Sequence, residues 1–239
     1  PKEPSSAEQP NQLFDRSQVL DQLRPPAHAP EFSRVFAART CMMAGVGLTG
    51  VFLWYLVRFW VYGKAVVLTS APLTIPAGFL IAGMAVATLI GAALASWAAG
   101  PISESIEEKN IPVARVVAGA CLLYAIGLGL AWGLGVWSTG TARENGMLLF
   151  ALISGFAFGI YDSLGLELVM DSLPDPRRAG HDLGIYALAN SAGLALAAII
   201  GALLVNAFEH SFGYYLLFPS AIVMVLLAGI ITLTTKSAE

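Results

Sequence analysis

Asp162 and Glu167 are the residues of this 239-residue chain best placed to do chemistry, because both fall inside a stretch, Asn145 to Ser172, that is otherwise suited to lipid. An ionisable group at membrane depth costs about 2.5 to 3.5 kcal/mol on insertion scales, so it is seldom kept without a task. A carboxyl facing a water-filled cavity can bind a proton, a cation or a polar substrate. Burial penalises the charged form of such a group, which opens proton binding at neutral pH. A static hydrogen bond to a neighbouring helix is the plainer alternative. Asp171 follows Glu167 by one helical repeat and shares its face, whereas Asp162 and Glu167 point about 140° apart, so the three cannot line one narrow seam. Asp171 reads better as an end cap or as the partner of an arginine. Tyr161, beside Asp162, and Asn190, about two turns into the next apolar run, are further polar candidates for the same cavity. Interhelical bonding is the equal alternative for Asn190.

The elements that must carry these groups follow from composition. Hydrophobic residues make up 56% of the chain and charged residues 12%, and mean hydropathy is +0.70, which describes an all-α integral membrane protein. A spanning helix needs about 20 apolar residues. Runs free of acidic and basic residues give six candidates: Thr40 to Val57, beginning near Ser33; Pro76 to Ala99; Val116 to Trp137; Asn145 to Ser172; Leu183 to Phe208; and Tyr214 to Thr235. Residues 1–31 are Pro-rich and read as a cytoplasmic linker or tail, with Leu13 to Leu23 open to a short interfacial helix. Residues 32–236 form the six-helix domain and 237–239 a short tail. The opening on Pro1, without a leader-like apolar segment, points to a fragment whose upstream part has been removed.

Basic residues set the expected orientation. Arg24, Arg34, Arg39, Lys109, Arg115, Arg177, Arg178 and Lys236 stand against Arg58, Lys64 and Arg143, which puts both ends inside. Arg39 and Arg58 bracket the first span and are expected to snorkel. The connector LPDPRRAGHDLG has its own logic: Pro174 and Pro176 stop the fourth span, Arg177 and Arg178 anchor the inner face, and Gly180 with Asp182 turns and caps the fifth. The stretch from Gly100 to Lys109, which contains Glu104, reads as a solvated turn.

Small residues repeat every fourth position in four of the spans, as in Gly83, Ala87, Gly91, Ala95 and Ala99, or Gly155, Gly159 and Ser163. Such faces let helices approach closely, whether they slide or stay fixed. Cys41 and Cys121 lie in apolar runs and read as small core residues. His28, His181 and His210 fall in the tail or at loop positions. No HExxH, GxSxG or CxxC occurs, and the GLGLAWGLG of the third span lacks the strand a phosphate loop requires. No metal, cofactor or enzymatic activity is expected, and a net charge of −3 with dispersed basic residues argues against a nucleic-acid partner.

FGIY at 158–161, LPDPRRAGHDLGIYALANS at 173–191 and FAART followed by WYLVRFWVYG within 36–63 resemble the second half, helices seven to twelve, of a bacterial major facilitator superfamily transporter. The resemblance implies one half of that fold, built from 3+3 inverted repeats and rocking about a midplane site. It implies a symporter or antiporter of the bacterial cytoplasmic (inner) membrane, partnered by a small solute, by the lipid bilayer and by a missing N-terminal six-helix half; protons enter as partners through the carboxyls of Asp162 or Glu167, not through the resemblance. Gly100 to Lys109 is similar to the family's loop motif, but Glu104, Ser105 and Glu107 depart from it. Glu104, Arg39, Asp171, Arg177, Arg178 and Asp182 are the loop or gating candidates. Relatives with this connector often carry an acid at the position of Gly165, whereas here Asp162 and Glu167 flank it. A six-helix domain with a scaffolding, sensor or enzymatic role is the reading from a different class.

Overall fold

The computed structural model describes residues 30–62, 74–137, 140–173, 179–208 and 210–235, all of whose elements are helices. In order they are α1 (Pro30–Gly50), α2 (Leu53–Tyr55, continued by a π-helical stretch Leu56–Val61), α3 (Thr74–Glu108), α4 (Val113–Trp137), α5 (Thr141–Asp171), α6 (Ala179–Ala207) and α7 (His210–Leu233). Five of these helices are long and apolar enough to cross a membrane, and α1 with α2, bent by 41° at their junction, supply a sixth span if counted as one. The chain is a multi-pass helical membrane protein. Phe79, Leu89, Trp97 and Leu203 point outward, the arrangement expected where the solvent is hydrocarbon and every backbone group must be satisfied within the helix.

The helices pack in a definite order. α5 lies against α3 and α4, α1 lies against α6 and α7, and α4 and α7 meet between the two groups. Small residues make the closest approaches. A Cβ on Gly91 or Gly155 would strike the backbone of the facing helix, and one on Gly193 would meet Thr40, Met43 and Ala44 of α1. Gly135 admits the ring of Trp60, which also packs 4.8 Å from Phe218. The repeats of small residues in the sequence are therefore contact faces.

Three local expectations are corrected. The stretch after Gly100 is not a turn: α3 runs through Pro101 to Glu108, because Ile102 and Ile106, four residues apart, pack against the core. Its end is a Schellman motif. Asn110 takes a positive φ of 50°, and Ile111 N–H bonds Ile106 C=O at 3.0 Å, as a left-handed residue after a helix permits. The first span is broken, not continuous, and its second part bonds in π register, with Tyr62 N–H to Val57 C=O at 3.2 Å. Gly180 and Asp182 do not turn and cap α6, since the helix already includes them from Ala179. Asp182 instead sits in the first turn, where the helix dipole favours an acid. The proposed linker before residue 30, the prolines of the 174–176 turn, Arg177 and Arg178 lie outside the described residues.

Candidate functional site

α1 carries Arg39 about 14 Å from its first residue, and the side chain is directed inward, with the residue only 7% exposed. Its Nη1 lies 2.7 Å from Asp162 Oδ1. Its Nε donates to Asn190 Oδ1 at 2.7 Å. The guanidinium carbon is 5.6 Å from the ring centre of Tyr161 and 5.7 Å from those of Phe158 and Tyr186. One buried cation thus ties α1 to α5 and α6. A planar guanidinium suits the position, because it can pair in its plane through fixed N–H groups while presenting its faces to aromatic rings.

Four residues singled out in the sequence come together here: Asp162, Asn190, Tyr161 and Arg39. Two readings of them change. Arg39 does not snorkel and lies within a helix, not a loop; a carboxylate and an amide on neighbouring helices satisfy it better than the distant headgroups would. It therefore drops out of the orientation count, leaving seven inward basic residues against three. Asp162 is not a sealed carboxyl, since its side chain is 56% exposed while that of Arg39 is 9% exposed.

The other candidates lie apart. Glu167 and Asp171 are exposed and sit on the far side of an outward arc of α5 that includes Leu166 and Met170. Glu104 is exposed on the last turns of α3. Asp182 is buried, with His181 Nδ1 at 3.3 Å from Oδ1, and its Oδ2 has no partner among the described residues.

Beside Asp162 opens a cavity of about 350 Å³ between α1, α3, α4 and α5, lined among others by Val46, Thr88, Ser96, Tyr124, Ser154, Phe158 and Ser163. Sequence reasoning missed Phe158 and Tyr186 as neighbours of Arg39, and the hydroxyls as cavity lining. One signal was present: the triplet Gly-Ile-Tyr occurs at 159–161 and again at 184–186, and both tyrosines flank the arginine. The serines and threonine gave no signal, because in an apolar helix they also serve as small packing residues. Among the described residues no group of three or more His, Cys, Asp or Glu could hold a metal ion.

Fold and site together define a multi-pass helical membrane protein with an arginine–aspartate pair inside its bundle. No protein-family model, curated protein or solved structure matches the chain.

Proposed function

We propose that this chain is the second six-helix half of a major facilitator superfamily transporter, moving a small solute across the bacterial cytoplasmic membrane by alternating access, with Asp162 in the solute path. One observation carries the reading: a carboxylate far from either end of its span, 56% exposed and paired to a buried arginine, borders a cavity. A charged oxygen turned toward acyl chains would be costly. The face that bears it belongs against water or against further protein, as in a transporter whose two halves enclose an aqueous path.

The packing order supports the same reading. Shifting each span by three carries the contacts of α5 with α3 and α4 onto those of α1 with α6 and α7, which an inverted 3+3 repeat requires. The excess of basic residues at one set of span ends favours both ends inside.

The test is uptake by proteoliposomes carrying the complete polypeptide, over a panel of small solutes, with and without a pH gradient. Uptake is expected, its response to the gradient reporting whether protons are coupled, and Asp162→Asn should abolish it while the helical circular dichroism and monodisperse elution are retained. Wild-type uptake by that folded variant would remove Asp162 from the mechanism.

A further inference from the structure

We propose that the cavity beside Asp162 receives a small organic cation, a protonated amine on an apolar body; this names the substrate class of the transport reading above and rests on it only for the step of translocation.

The serine and threonine hydroxyls that line the cavity are bonded to their own helices. Thr88 Oγ1 donates to Met84 C=O at 2.9 Å, Ser96 Oγ to Ala92 C=O at 3.1 Å, Ser154 Oγ to Ala151 C=O at 3.0 Å and Ser163 Oγ to Gly159 C=O at 2.9 Å. A hydroxyl has one proton and two lone pairs, and a carbonyl can only accept. In this arrangement each of the four hydroxyls donates to its own helix and presents its lone pairs to a ligand. Asp162 in the ion pair is an acceptor as well, with Oδ1 held by Arg39.

The cavity thus offers acceptors on several sides and keeps its nearest strong donor, Arg39, behind the carboxylate, bound to Asp162 and Asn190. An anion entering would meet lone pairs. An ammonium brings three N–H donors and no acceptor, which complements this lining. The rings of Phe158 and Tyr124 in the wall favour a cation with an apolar body over a neutral polyol. Asp162 would then stand between two cations, the fixed guanidinium and the bound ammonium.

The experiment uses the full chain in lipid nanodiscs and three probes of similar size: 2-phenylethylammonium, 3-phenylpropionate and 2-phenylethanol. Saturable binding of the ammonium, at least about tenfold tighter than either other probe, is expected. Asp162→Asn should weaken it by about tenfold or more, and Ser96→Ala and Ser163→Ala by about threefold each, since each loses a charge-assisted acceptor. The two serine variants keep the test decisive if Asp162→Asn fails to fold. Preference for the carboxylate or the alcohol, equal binding of all three, or ammonium binding indifferent to both serine variants would overturn the proposal. Ammonium binding with the expected preference but no uptake in proteoliposomes would leave this inference standing and sink the transporter reading. Uptake confined to anions would sink the inference and keep the transporter.

Discussion

At Arg39 and Asp162 the two halves of one ion pair sit in unlike surroundings, 9% and 56% exposed. Losing one partner is therefore not equivalent to losing the other. Without the carboxylate, a buried cation keeps only Asn190 and three ring faces. Breaking a buried pair costs roughly 3 to 5 kcal/mol, and the exposure of Asp162 places this case near 3. Without the arginine, the carboxylate can still reach water. We expect Asp162→Ala to destabilise the protein by about 3 kcal/mol in a detergent-unfolding titration and Arg39→Met in the same background to recover most of that loss. Simple additivity of the two changes would show that the pair is not an energetic unit. A separate expectation concerns Tyr62, just past the end of α2. Burial, with Glu144 as its hydrogen-bond partner, pushes this hydroxyl up to about 12. A raised folded value means that its contribution is whole below the unfolded value of about 10 and is lost as pH rises through the folded one. Tyr62→Phe should accordingly flatten the fall in stability above about pH 10 in an alkaline unfolding series, and an unchanged slope would show that Tyr62 contributes nothing there.

At the scale of elements, the contact between α3 and α5 depends on the absence of side chains. A Cβ on Gly155 would meet the Thr88 carbonyl, whereas one on Gly129 meets nothing within 4 Å. Gly155→Ala should cost about 2 kcal/mol, as overpacking does, and Gly129→Ala should be neutral or gain up to about 1 kcal/mol from helix propensity. Thermal unfolding in detergent decides, and similar midpoints for the two variants would mean that the close approach is not needed. The helices themselves were legible because long apolar runs leave few alternatives in lipid. The extension of α3 was not, since Pro101 and the acids after it hid Ile102 and Ile106, whose spacing holds the helix on. Arg39 was misjudged for a related reason: a charge ends an uncharged run, so counting runs puts it at the membrane edge, and Asn190, the partner that draws it inward, lies 151 residues away in sequence. Asp162 stood out as an acid in an apolar run, but its exposure depends on neighbours that the run does not encode.

For the molecule as a whole, counting the bent first pair as one span gives six crossings, and that count sets which connections share a side. With Cys41 and Cys121 replaced by alanine, single cysteines at Asn110 and Leu173 should react with an impermeant maleimide from the side opposite to those at Tyr62 and Phe208. A further cysteine at the start of α1 labelled from the side of Tyr62 would overturn the count of six. The described ends of α1 and α7 should likewise lie together, on the side of Asn110, and Arg34 already touches the Thr234 carbonyl at 3.1 Å.

The first span and α5 pack little on each other, yet they are fastened twice. Near one end Arg39 holds Asp162, and near the other Arg143 donates to the Trp60 carbonyl at 2.9 Å. The two anchor points on α5 are nineteen residues apart in sequence, about 28 Å along the helix, and the cavity lies between them. Mechanically this is a hollow beam clamped at both ends: turning α5 about its own axis must break both clamps together, whereas swinging it about either clamp need release only one.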